Sequence, residues 1–115
     1  MKESSRYLLP LTVLLFLALG AAPVGAAGRV DRGVAVPMRD GVKLIADVYL
    51  PPGQGPWPVI LMRTPYNRAA GEGAAGPFRD HYAVVIQDTR GRYESGGEFT
   101  PCFPDVNDGY DTVEG

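Results

Sequence analysis

The stretch Arg63-Thr64-Pro65-Tyr66-Asn67-Arg68 follows directly on the apolar run Val59 to Met62. It puts an aromatic hydroxyl at the mouth of a buried strand, behind a proline that restricts the backbone. A phenol both donates and accepts on a stiff arm, which suits a positioned hydrogen bond. The competing role for Tyr66 is an aromatic packed on a sheet edge. Asp88-Thr89-Arg90-Gly91 follows a second apolar run, Tyr82 to Ile86. Open α/β sheets place their sites at the carboxyl ends of parallel strands, so these residues are also candidates. The reading we prefer for them is an Asp88–Arg90 pair pinning a glycine turn.

Other reactive side chains are weaker candidates. Ser95 lies in a flexible loop and is not a nucleophile elbow, because Gly-x-Ser-x-Gly needs glycine where Tyr93 stands. His81 is the sole histidine and precedes a strand among charged neighbours, which suits a partly exposed connector. Cys102 is the only cysteine; it reads as a small buried residue, or as half of a disulfide whose mate lies elsewhere. Asp105-Val106-Asn107-Asp108-Gly109-Tyr110-Asp111 resembles a calcium loop but fails in register, since the sixth position is Tyr110 rather than glycine. A helix start explains it better, with Asp105 or Asp108 capping free amides and Asp111 and Glu114 near the positive end of the dipole. No metal and no cofactor are expected.

The elements that must carry these residues follow from the hydrophobic pattern. Arg29 to Met38 reads as a strand, and Arg39-Asp40-Gly41 supplies the chemistry of a tight hairpin turn. Val42 to Leu50 alternates, with Val42, Leu44, Ala46, Val48 and Leu50 on one face, the pattern of a half-buried strand. Pro51 to Pro56 is a breaker-rich loop. The runs Val59 to Met62 and Tyr82 to Ile86 do not alternate, which suits strands covered on both faces of a parallel sheet. Residues 67 to 81 have the length of a crossover. Gly71, Gly73, Gly76 and Pro77 weaken its first part, so a short helix is expected at Phe78 to His81. An antiparallel pair followed by a βαβ-like unit makes this the opening of a mixed α/β sheet.

The chain has 115 residues, 45% hydrophobic and 21% charged, with a formal charge of −2 and a pI near 5.3. That composition argues against disorder, and without a basic patch no nucleic-acid partner is expected. Lys2 and Arg6, the apolar stretch Leu8 to Leu19 and the small residues Ala21 to Ala27 read as a secretory signal, residues 1–27. The favoured reading is cleavage after Ala26 or Ala27 and export to the periplasm or medium, with no stable membrane association afterwards. The alternative is an uncleaved anchor, although Pro10, Gly20, Pro23 and Gly25 interrupt a segment that would need about 20 apolar residues to span a bilayer. A remaining domain of this size buries only about 60–65% of its unfolded surface. With one cysteine it has no disulfide of its own.

Five stretches taken in order resemble one family. They are Val36-Pro37-Met38-Arg39-Asp40-Gly41-Val42-Lys43-Leu44, then Pro58 to Arg68, then Val84 to Arg92, then Ser95-Gly96-Gly97-Glu98-Phe99, then Asp108 to Glu114. Together they are similar to the start of the cocaine-esterase-like (CocE/NonD) and X-prolyl dipeptidyl peptidase family of serine hydrolases. The resemblance implies an α/β-hydrolase mixed sheet, of which residues 28–115 would supply the first four strands and the start of the following helix. It also implies that Tyr66 points its hydroxyl into an oxyanion hole, sharing the task with the backbone N–H after the nucleophilic serine. The implied substrate is a small-molecule ester or amide, or a peptide. In the family the serine, acid and histidine lie downstream of these motifs, so the chain reads as an N-terminal portion that does not catalyse alone. The rival expectation is a self-sufficient exported binding or interaction module.

Overall fold

The computed structural model describes residues 28–115, and the expected signal at residues 1–27 lies outside the described residues. Strand β1, Arg29–Pro37, and strand β2, Lys43–Leu50, form the antiparallel hairpin that the Asp40-Gly41 turn requires. Gly41 takes φ +85°, a conformation that strains any residue with a Cβ. Asp40 Oδ1 accepts from the Val42 N–H at 3.1 Å, and the Met38 N–H closes the turn on the Val42 carbonyl at 2.8 Å. The register slips between Asp31 and Val34, and this bulge turns the Gly33 N–H onto Asp47 Oδ1 at 3.0 Å.

Strand β3, Val59–Thr64, runs parallel to strand β4, Ala83–Asp88, and β2 pairs with the other edge of β4 in the antiparallel sense. The sheet order is β1-β2-β4-β3, the mixed sheet expected from the pattern. β4 lies between two strands and is buried along nearly its whole length. β3 departs from the expectation of cover on both faces. It pairs with β4 alone among the described residues and is only partly buried, with Val59 62% exposed.

The crossover departs from expectation as well. Its helical turns fall at Arg68–Gly71, at the short helix α1, Glu72–Ala75, and at Gly76–Phe78, while Phe78 to His81 only turns back toward β4. The glycines suit this path because the segment lies close on the sheet: a Cβ on Gly71 would stand 3.1 Å from the Ile86 side chain. Pro77 costs nothing near the start of its own turn, where its missing N–H is not needed.

The core sits under this crossover. Tyr49, Ala75, Val84 and Ile86 form it, with Val30 and Met62 packed at its margin. Fully burying a side chain such as Val84 or Ile86 contributes about 1.5–3 kcal/mol. The alternation in β2 is therefore misleading: Asp47 and Tyr49, on the face expected to see solvent, are buried by the crossover. On the other face Leu44 and Ala46 are buried, while Val48 and Leu50 remain only half-covered.

Helix α2, Asp105–Glu114, lies on that second face and is held by polar contacts rather than by an apolar stripe. Arg90 Nη2 donates to Asp108 Oδ1 at 2.7 Å, Arg39 to Asp111 at 2.8 Å, and the Thr112 hydroxyl to Gln87 Oε1 at 3.1 Å. Neither Asp105 nor Asp108 caps the helix as expected. Pro104 occupies the cap without a side-chain bond, and both carboxylates are taken by Arg63 and Arg90. Asp111 and Glu114 fall in the second half of the helix, away from the positive end of its dipole. No helix among the described residues is long and apolar enough to cross a membrane.

Candidate active site

Tyr66 stands where β3 gives way to the crossover, and the chain around it is fixed at almost every backbone atom. The Thr64 carbonyl accepts from the Thr89 N–H at 3.0 Å, which extends the β3–β4 ladder by one rung. The Pro65 carbonyl accepts from Arg92 Nε at 2.9 Å. The Tyr66 N–H folds back onto Thr64 Oγ1 at 3.0 Å. Asn67 takes φ +86°, uncommon for a residue with a Cβ, and its side chain accepts from the Ala69 N–H at 3.1 Å. Asn67 is suited to that position because its amide can bond to the backbone locally. The Tyr66 ring itself is 77% exposed, and its hydroxyl makes no hydrogen bond among the described residues.

Behind the loop lies a cluster of charges. The Arg68 N–H donates to Asp88 Oδ1 at 2.7 Å, and its guanidinium reaches Asp88 Oδ2 at 2.6 Å, Asp47 Oδ1 at 2.8 Å and Glu94 Oε1 at 2.9 Å. Arg32 adds a longer contact of 3.4 Å to Asp47. Burial alone would push the Asp47 carboxyl up. The Arg68 bond, the Gly33 N–H and the charges of Arg68 and Arg32 outweigh it and hold the group below the usual carboxylate range. Burial likewise disfavours the Arg68 guanidinium, and its bonds to Asp47, Asp88 and Glu94 more than compensate, raising its affinity for the proton above that of an ordinary arginine. The pairing expected between Asp88 and Arg90 does not form. Asp88 serves Arg68, while Arg90 donates to Asp108 and Asp40 and so ties α2 to the hairpin turn.

The loop after β4 closes the other side. Gly91 takes φ +72°, and a Cβ there would collide with the backbone of Glu98 and Phe99. Ser95 is buried, donates to the Asp88 carbonyl at 2.7 Å and accepts from the Ile45 N–H at 2.8 Å, so its hydroxyl is committed to the fold. His81 is exposed on the connection before β4, as the sequence suggests. Cys102 is not buried: it is an exposed free thiol at φ +66°. The turns of the 99–104 segment keep it outside the sheet. Among the described residues no serine, histidine and acid are brought together, and no group of three or more His, Cys, Asp or Glu side chains is arranged to hold a metal ion.

Tyr66 borders a cleft of about 370 Å³ lined also by Arg63, Pro65, Thr89, Phe99 and Cys102. Its other flank borders a hollow formed by Met62, Asn67, Gly71 and Ile86. Arg63 Nη2 and Thr89 Oγ1 are buried without a hydrogen-bond partner among the described residues. The free phenol of Tyr66 and these two unpartnered groups thus belong to residues that line one cleft. Sequence reasoning missed the residues that fix the Tyr66 loop: Arg68, Arg92, Glu94 and Asp47. One signal was available, since Asp47 is a carboxylate inside an otherwise apolar strand, and such a group needs a buried partner.

Comparison with known proteins gives the family and the fold. Residues 40–114 match the family described as X-Pro dipeptidyl-peptidase (S15 family). Cocaine esterase of Rhodococcus sp. (strain MB1 Bresler) is 46% identical over 91 residues, which cover 73% of this chain and 16% of that protein. A solved α-amino acid ester hydrolase superimposes with a TM-score of 0.62 at 28% identity, over 80% of this chain and 19% of the other. A CocE/NonD family hydrolase from Staphylococcus aureus gives a TM-score of 0.66 at 24% identity, over 74% of this chain and 19% of the other, a likeness of fold. The chain thus spans less than a fifth of the length of each of these three proteins.

Proposed function

The chain belongs to the X-Pro dipeptidyl-peptidase (S15) family, whose cocaine-esterase-like (CocE/NonD) and peptidase members are hydrolases, and from that membership we propose that it supplies the oxyanion-binding side of a serine hydrolase. A serine contributed by chain beyond these residues attacks an ester or amide carbonyl. The carbonyl oxygen takes up negative charge and accepts a hydrogen bond from the Tyr66 phenol. Collapse of this tetrahedral intermediate breaks the ester or amide bond, expels the protonated alcohol or amine and leaves an acyl-serine, which water hydrolyses to the acid and free serine. The substrate is a small-molecule ester or amide, or a peptide. The relatives' names, a cocaine esterase and an α-amino acid ester hydrolase, support the ester side of that range.

One observation carries this reading. A loop whose backbone is held at Thr64, Pro65, Tyr66 and Arg68 presents an exposed, unengaged donor, the Tyr66 hydroxyl, beside an open cleft that Arg63 and Thr89 also line. Oxyanion stabilisation depends on a donor that is already in place when charge develops, so a fixed loop with a free phenol suits the task. Among the described residues nothing covers this phenol, which leaves it open to an acceptor.

The complete gene product, assayed on p-nitrophenyl acetate, should show a burst of p-nitrophenol and a protein mass raised by one acetyl group. Residues 28–115 alone should be inert. Turnover by the complete product at the buffer rate, with no acyl adduct, would remove the enzymatic reading and return the protein to an exported binding module. We also propose that residues 1–27 are removed on export. Mass spectrometry of the secreted product should find an N-terminus at Ala27 or Gly28, and a form beginning at Met1 in the membrane would contradict that.

A further inference from the structure

We infer that Arg68 is the positioning residue for Tyr66, aiming the phenol by locking the crossover onto three carboxylates from different parts of the fold; this rests on the oxyanion reading of Tyr66. Arg68 is itself 8% exposed and stands two residues beyond Tyr66. Its backbone N–H is held by Asp88 at the carboxyl end of β4. Its guanidinium is held in three directions, by Asp88, by Asp47 of β2 and by Glu94 of the loop after β4. A guanidinium is planar and presents its donors in a rigid fork, so three acceptors fix its orientation as well as its place.

The chain between Arg68 and the end of β3 has little freedom left. On one side the Thr64 carbonyl is held by the N–H of Thr89, the residue directly after β4, and on the other the Arg68 N–H is held by the carboxylate of Asp88, the last residue of that strand. Tyr66 is thus suspended between two anchors at the end of one strand, with Asn67 in its uncommon conformation taking up the bend. A residue kept in such a conformation persists only where its surroundings over-determine it. Arg68 is the part of those surroundings that reaches across three elements. It touches no reacting atom, and its effect on the chemistry runs through the direction of the Tyr66 hydroxyl. A misplacement of about 1 Å in a catalytic donor can cost about 10²-fold in rate.

The test is a double-mutant cycle in the complete gene product on p-nitrophenyl acetate. Arg68→Met should lower kcat about 10- to 10²-fold with KM within about twofold, because binding does not use this donor before charge develops. Arg68→Lys keeps the charge but cannot engage three carboxylates, and should recover only part of the loss. Combining Arg68→Met with Tyr66→Phe should be no more than about twofold slower than Tyr66→Phe alone, since an absent donor cannot be misdirected. Effects that multiply in the double variant, or a kcat within about threefold of wild type for Arg68→Met, would overturn the inference while leaving Tyr66 in its role. If Arg68→Met fails to fold, Arg68→Lys decides: an unchanged kcat overturns the inference, and a reduced kcat at constant KM that vanishes in the Tyr66→Phe background supports it. Should Tyr66→Phe itself be without effect, the oxyanion reading falls and the inference with it.

Discussion

The carboxyl end of β3 and its outer edge make opposite demands on the rest of the protein. At the carboxyl end, the backbone polar groups of the loop at Pro65 and Arg68 and the Arg68 guanidinium are matched by partners drawn from β2, β4 and the loop after it, while the Tyr66 hydroxyl is left free. Along the outer edge and over the second face of the sheet, little is matched. Val59, Val106 and Val113 are exposed, and an apolar groove runs between Val36, Val48, Leu61, Val85 and Val113. The difference separates two kinds of information. Directional bonds and ion pairs fix a loop locally, through contacts that are all present here. Hydrophobic stability scales with buried area, and on this face the area is still open to water. The loop of the candidate site is therefore held by contacts among the described residues, whereas the second face leaves apolar area uncovered among them.

The largest test of that contrast is to isolate the open face. Residues 28–115 expressed alone should be associated or only partly ordered, because an unpaired apolar edge templates contact with other chains and a sheet of this size has little stability in reserve. Val59→Lys, which puts a charge on the exposed edge, should lower the associated fraction measured by light scattering. A monomer with a sharp, cooperative thermal transition would break the comparison by showing that the face is stable without cover.

A smaller test addresses the matched end. The Asp47 carboxyl is held below its ordinary value, so its contribution to stability is fully present above the unfolded value of about 3.9 and is lost as pH falls through the folded one. Asp40 and Asp111, each bonded to an arginine, are shifted the same way and act in the same window. The urea midpoint of the complete gene product should thus be level from about pH 5 to 7 and decline steeply below about pH 4. Asp47→Asn should flatten part of that decline at the cost of a lower plateau, because Arg68 loses one of its charged partners. A midpoint indifferent to pH down to about 3 would show that the charge cluster adds nothing to stability.

Much of the fold was legible in the sequence. The strands, the Asp40-Gly41 hairpin and the parallel pairing of β3 with β4 follow from period and turn chemistry, which are local. What was not legible depends on distance. Arg68 and Asp88 are separated by twenty positions, and only the β3–β4 register brings them together. The nearer pair, Asp88 and Arg90, does not form because Arg90 reaches toward Asp40 and Asp108 instead. The alternation in β2 named Leu44 and Ala46 correctly but hid Asp47 and Tyr49, whose burial comes from the expected crossover, with its helix formed in the glycine-rich first part rather than at Phe78 to His81. The expected burial of Cys102 follows from its residue type, while the turns around it keep it exposed. The placement of Tyr66 at a strand mouth came from the residues themselves; its expected chemistry came from the resemblance.

The central claim is that Tyr66 donates to the oxyanion, and replacing only its hydroxyl tests it most directly. In the complete gene product, Tyr66→Phe should lower kcat by about 10²–10³, or roughly 3–4 kcal/mol of transition-state stabilisation, with KM little changed. A kcat within about threefold of wild type would contradict the account and leave Tyr66 an aromatic on the edge of the sheet.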